Sequence, residues 1–138
     1  MSFLLDTNVV SETRKSRPDA GVVDWIGSVG ADHLHLSVLT LGEIERGVAQ
    51  LRRRGDDRQA SSYAVWLASL TEAFAGRIVP VSLEIARRWG QTGGINPGST
   101  VDALLSATAQ AHGWTLVTRN VKDFASLDVP ILNPFTGT

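Results

Sequence analysis

Residues 2–10 read SFLLDTNVV, and the order of those letters decides the class of fold. Three apolar residues, Phe3, Leu4 and Leu5, run directly into a carboxylate, Asp6, before Thr7 and Asn8 give way to Val9 and Val10. A short apolar run bounded by polar residues predicts a buried strand. An acid at its end has a ready structural explanation. Asp caps helices, because its side chain accepts a hydrogen bond from an otherwise unpaired backbone N–H. That account suffices for a single acid, so its strength depends on whether other acids stand in the same situation.

Working outward, DAGVVDWIGSV (19–29) places Val22, Val23, Ile26 and Val29 at the spacing of an amphipathic helix. HLHLS (33–37) alternates and predicts a strand. TLGEIERGVAQLRRR (40–54) predicts a helix with Leu41, Ile44, Val48 and Leu51 on one face. A second long helix is expected over 59–76, stopped by Gly76. RIVPVS (77–82) predicts a short strand or edge, and LEIARRWGQ (83–91) a helix. TGGINPGS (92–99), rich in glycine, is a loop. TVDALLSATAQAHG (100–113) is a helix closed by Gly113, and TLVT (115–118) and VPILN (129–133) are strands. Strands alternating with helices argue for an α/β class, with a mostly parallel sheet and helices on both faces.

The 138 residues suit one domain, expected to span 1–138. Without cysteine there are no disulfides, no thiol nucleophile and no cysteine zinc site. No apolar run is long enough to span a membrane, and no secretory signal opens the chain, so a cytoplasmic protein is expected. The net charge of −1 does not announce a nucleic-acid binder. Local clusters do exist: Arg14, Lys15 and Arg17, then Arg46, Arg52, Arg53, Arg54 and Arg58. Such runs are usually solvated helix faces; contact with phosphate or a partner is the alternative, sharpest for Arg52, Arg53 and Arg54.

The acids recur. Glu43 in TLGE, Asp102 in STVD and Asp123 in NVKD each stand in the expected first turn after an extended segment or loop. Each also matches a capping box, a short polar residue with an acid three places on. In a parallel sheet, however, the carboxyl ends of the strands share one edge, where ligands bind. Carboxylates delivered there repel one another and raise each other's pKa. A hard divalent cation relieves that repulsion with oxygen ligands, which points to Mg²⁺ with Mn²⁺ as substitute. The histidines, His33, His35 and His112, are too few and too scattered for a zinc site. Such a metal suits phosphodiester hydrolysis by a bound water.

Together LLDTNVVSE, LSVLTLGEIERGV, VDALLSATAQAHGWTLVTRNVKDF and VPILNPF resemble the PIN-domain ribonucleases, specifically the VapC-type toxins of prokaryotic toxin–antitoxin pairs. The resemblance covers nearly the whole chain. It implies a hydrolase, a Mg²⁺-dependent endoribonuclease cutting single-stranded or looped RNA. Asp6, Glu43, Asp102 and Asp123 match the acidic quartet, with Asp6 and Asp102 as metal ligands and Glu43 and Asp123 acting directly or through water. Thr118 matches a positioning hydroxyl, and Asn8 and Asn120 lie beside the site. The implied partners are a small antitoxin, contacting the long helices between 40 and 75, and a second copy of the chain in a homodimer. QTGGINPGST before Asp102 departs from the family in lacking an arginine-containing loop.

Three rivals compete. A haloacid-dehalogenase-type phosphotransfer enzyme needs a second acid two residues after the first, where this chain has Asn8. A receiver domain needs an adjacent acid pair, but Asp6 is flanked by Leu5 and Thr7. A PIN-like module that only binds RNA or protein would have lost an acid, and all four are present.

Overall fold

Phe3, Leu4 and Leu5 form β1 (Phe3–Leu5), and all three are buried. Successive strand residues point to opposite faces. Phe3 and Leu5 enter one core with Val9, Val10, Val22, Leu36 and Ile44, whereas Leu4 enters a second with Leu105, Leu116 and Phe124. A strand that is apolar at every position is therefore covered on both faces, as parallel α/β sheets require.

The computed structural model describes residues 1–92 and 98–136. After β1 come α1 (Thr7–Glu12), α2 (Ala20–Ser28), a 3-10 turn (Ala31–His33) and β2 (Leu34–Ser37). Next are α3 (Val38–Arg53), α4 (Asp57–Ala73), β3 (Ile78–Val79), α5 (Leu83–Gln91), α6 (Thr100–His112), β4 (Thr115–Val117), α7 (Val121–Phe124) and β5 (Ile131–Leu132). The sheet order is β3-β2-β1-β4-β5, with every pairing parallel. Phe3 pairs with Leu34 on one side and Thr115 on the other. From β1 the chain builds the sheet first toward β2 and β3, and later toward β4 and β5. The order reverses between β1 and β4, and that reversal opens the crevice in which such sheets bind ligands. No helix among the described residues is long and apolar enough to cross a membrane.

The α/β expectation holds, and the differences are local. The third helix starts at Val38, because buried Ser37 caps it by accepting from the Leu39 N–H at 3.0 Å. Thr40 is thus a buried helix residue rather than a cap, and Glu43 lies beyond the first turn. The helix expected over 59–76 starts at Asp57 under an Asp56 cap and stops at Ala73, before Gly76 turns left-handed at φ 83°. Strands expected over 77–82 and 129–133 shorten to two residues each, since both are sheet edges with one neighbour to pair with. His33 belongs to the turn before β2, so the two histidines of HLH do not share a strand. Residues 93–97 of the expected 92–99 loop lie outside the described residues. Helix 83–91 matches, and Gly113 closes α6 in the left-handed region at φ 71°.

The two-faced role of β1 sets the first prediction. Leu4 has no exposed surface. Leu4→Ala is expected to cost ~2–5 kcal/mol in urea unfolding, the range for a leucine deleted from a packed core. A loss under ~1 kcal/mol would mean that the sheet centre is not where the core is anchored.

Candidate active site

The crevice at the carboxyl ends of β1 and β4 is built from hydrogen bonds to one carboxylate. The Asp6 N–H continues the sheet by donating to the Val117 carbonyl at 2.9 Å. Its side chain caps α1, with Oδ1 accepting from the Thr7 N–H at 2.7 Å. Oδ2 accepts from the Thr118 hydroxyl at 2.8 Å and from the Asn8 amide at 3.4 Å. Thr118, fully buried just past β4, in turn accepts from the Asn120 N–H at 3.0 Å. Asn8 Oδ1 accepts from the Arg119 N–H at 3.2 Å, so the DTN and TRN segments are laced together across the crevice.

Two further carboxylates face Asp6. Glu43 projects from α3, held where Oε1 accepts from the Thr7 hydroxyl at 2.6 Å. Asp102 sits in the first turn of α6 and completes a true capping box: Oδ2 accepts from the Ser99 N–H, and the Asp102 N–H donates to Ser99 Oγ, both at 3.1 Å. Asp6 is 6% exposed, and burial pushes its carboxyl up to about 6. The bonds from Thr118 and Thr7 pull it down, while the charges of Asp102 and Glu43 push it further up. Among the described residues, ion pairs join only Lys15 to Glu12 and Arg88 to Glu84, so no cation neutralises this group.

Asp123 stands apart. It is half-buried on α7, and Asp102 and Glu43 are the carboxylates whose charges weigh most on Asp6. The capping box expected from Asn120 does not form, because Asn120 makes no side-chain cap and uses its N–H on Thr118 instead. Gly98 brings Asp123 and Asp102 near one another: a Cβ there would lie 2.7 Å from Asp102 Oδ2 and 3.3 Å from the Asp123 carbonyl oxygen. Arg52, Arg53 and Arg54 are exposed at the far end of α3, ~13 Å along the helix from Glu43. There Arg52 and Arg53 offset the negative end of the helix dipole. A cavity of about 620 Å³ is also remote, lying around Ala109, Gly113 and Trp114 at the other end of α6.

A metal fits the donor chemistry, with one restriction. The group offers only oxygen, and its carboxylates lack a countercharge, which suits a hard divalent ion. Among the described residues, no three acids or histidines converge closely enough to ligate one ion together. The donor set therefore suits a hard divalent ion held by one or two carboxylates.

The family model for the PIN domain matches residues 3–130. The chain belongs to the PIN-domain family. It is 33% identical to Toxin FitB of Neisseria gonorrhoeae across 96% of this chain and 98% of that protein. It is 32% identical to VapC ribonuclease Y4jK of Sinorhizobium fredii across 96% and 97%. The crystal structure of FitAcB from Neisseria gonorrhoeae superposes with a TM-score of 0.84 at 32% identity, covering 96% of this chain and 97% of that one. The PIN-domain residues that sequence reasoning missed are Thr7, which positions Glu43, and Arg119, which Asn8 anchors. Thr7 is visible within DTN, but nothing in the sequence pairs it with a residue 36 positions away.

The raised Asp6 value makes stability depend on pH in a definite sense. Between its ordinary 3.8 and about 6, the folded chain keeps a proton on Asp6 that the unfolded chain has released. Stability from this group is thus greatest at the acid end and falls as pH rises, with the full penalty, ~3 kcal/mol, present above the folded value. Urea melts in EDTA across this window should show the fall in the parent and a flatter profile in Asp6→Asn. Parallel profiles would mean that Asp6 ionises as it does in water.

Proposed function

We propose that the chain is a Mg²⁺-dependent endoribonuclease, one unit over 1–138, acting as the toxin of a toxin–antitoxin pair. The observation that carries the reading is a buried Asp6 at the sheet's reversal point, faced by Asp102 and Glu43, with no ion pair to any of the three among the described residues. Support also comes from the similarity to a toxin, FitB, and a ribonuclease, Y4jK, and to the structure of FitAB bound to a DNA fragment, at 32% identity and TM-score 0.75. Asp6 and Asp102 would hold the ion directly, with Glu43 and Asp123 acting directly or through water. When bound, the ion supplies a water of lowered pKa and stabilises charge on the phosphorus oxygens. The protein's own contribution is placement. The Thr118 hydroxyl and Thr7 N–H each occupy one lone pair of Asp6 and fix its plane. Glu43 Oε1 is engaged by Thr7, which would leave Oε2, without a hydrogen-bond donor among the described residues, as the oxygen able to accept a proton from a water in the crevice. Asn120 holds the Thr118 hydroxyl so that its proton points to Asp6. No protein nucleophile is needed.

The antitoxin partner would pack on the long helices α3 and α4, leaving Arg52, Arg53 and Arg54 as contacts for partner or RNA, and a second copy would complete a homodimer. One observation favours a second reading, a PIN-like module that binds without cutting: among the described residues, the acids do not converge as three ligands on one point.

Activity and stability separate the readings. Purified, partner-free protein is expected to cleave RNA with Mg²⁺ or Mn²⁺, poorly with Zn²⁺, and not with EDTA; cleavage undiminished by chelator would remove the metal.

Asp102 offers the second test, because it is a capping residue in any case. Without metal, Asp102→Asn keeps a side-chain oxygen and loses repulsion, so it should melt at or above the parent. Mg²⁺ should raise the parent's melting temperature and the variant's much less. If Asp102 only caps, Asp102→Ala loses ~1 kcal/mol with or without Mg²⁺, and parent and Asp102→Asn respond to Mg²⁺ alike.

A further inference from the structure

An RNA strand arriving at uncompensated carboxylates needs cations close by, and several of this chain's are committed elsewhere. Arg14 lies over the Tyr63 ring, Lys15 pairs with Glu12, and Arg52 to Arg54 sit at the far end of α3. Two others are better placed. Arg119 and Lys122 come directly after β4 and line a pocket of about 560 Å³ with Asn120, Val121, Asp123 and Asn133. Such a volume suits a small ligand or one nucleotide.

We propose that this pocket is a subsite for the nucleotide adjoining the scissile phosphodiester of single-stranded RNA, with Arg119 and Lys122 as its phosphate contacts. The proposal rests on the ribonuclease reading and adds where the strand lies. Position supports it from both sides. Asn120 in the pocket wall donates to the same Thr118 hydroxyl that donates to Asp6, so pocket and buried acid share one group. On the other side, Asp123 lines the pocket, and only Gly98 separates its carbonyl from the Asp102 carboxylate.

Arg119 is also prepared for the task. Its backbone is tied to Asn8, and its guanidinium lies 4.7 Å from the centre of the buried Phe135 ring. Stacking holds a planar fork in place while its N–H groups stay available, and such a fork matches phosphate geometry. No ion pair engages Arg119 or Lys122 among the described residues. Lys122, exposed on α7, adds a second positive charge on the same wall. The Asn120 amide, which makes no cap bond, offers a donor and an acceptor to a base edge.

A fluorescent single-stranded RNA in EDTA, which prevents cleavage, reads binding by anisotropy over a salt series. The double variant Arg119→Gln, Lys122→Gln should bind roughly tenfold more weakly, and its log–log salt slope should be shallower by ~1.4, or ~0.7 per phosphate contact. With Mg²⁺, KM should rise by a similar factor while kcat and the Mg²⁺-induced melting shift stay as in the parent. Arg119→Lys should recover much of the salt slope. A purely structural role, stacking on Phe135, predicts that Lys behaves as Gln and that stability alone changes. Lys122→Gln, which disturbs no stacking, should lose ~0.7 of slope by itself and so guards against a folding defect in the Arg119 variants. Unchanged affinity and slope in a double variant whose parent still cleaves RNA would overturn the subsite and leave the ribonuclease reading standing. A parent that neither binds nor cleaves RNA overturns both.

Discussion

Burying a carboxylate at the end of the central strand is the constraint on which the rest of this molecule depends. Asp6 is 6% exposed, and a charge there is unfavourable unless its lone pairs are met. The fold meets them with groups from three places: Thr7 from the helix it caps, Asn8 one residue on, and Thr118 from the neighbouring strand. Only a sheet that sets β4 beside β1 in parallel register, Leu5 opposite Val117, brings Thr118 to Asp6. The residue that makes the site thus also demands the topology. Because β1 lies in the middle of the order, helices from both sides deliver acids to its end: α3 brings Glu43 and α6 brings Asp102.

Capping alone does not account for this arrangement, and the chain contains its own control. Asp19 and Asp6 both cap helices. Asp19 accepts from the Val22 N–H and from Thr136, and those Thr136 bonds lower its pKa. Asp6 does the same structural job, yet burial and two facing carboxylates drive its pKa the other way. A cap selected only for helix stability has no need of burial among like charges. Opposite shifts in two aspartates with one local role support the proposed site at Asp6.

How much of the molecule is legible in its sequence depends on how local each cause is. The run FLL, its burial on both faces and the α/β class can be read because apolar periodicity is a property of neighbouring residues. Helix 83–91 and the Gly113 stop are readable for the same reason. The start of α3 is not, because Ser37 is both the last strand residue and the cap, while Thr40 and Glu43 present a second capping pattern three residues later. Asn120 has the pattern of a cap, but its N–H is engaged by a hydroxyl at the end of β4, so the local pattern loses to a tertiary one. The four acids can be named from sequence. That Glu43 and Asp102 both act on Asp6 depends on Thr7, Ser99 and strand register, none of which has a local signature.

The separation of the acids has a physical reading as well. Like charges that are not neutralised move apart unless something fixes them, and here each is fixed by its own donor: Thr7 for Glu43, the Ser99 N–H for Asp102, Thr118 for Asp6. These bonds hold the carboxylates at set positions without drawing three of the described acids onto one point. On the proposed reading, an ion arriving there relieves repulsion without reorganising the protein, because the donors stay where they are. Such a site would leave room for water in the places the acids do not reach, and water is the reactant that hydrolysis requires. A tighter cluster would bind the ion more strongly and leave less room for that water. On the proposed reading, the hydrogen bonds that keep the acids apart would therefore belong to the chemistry as much as the acids do.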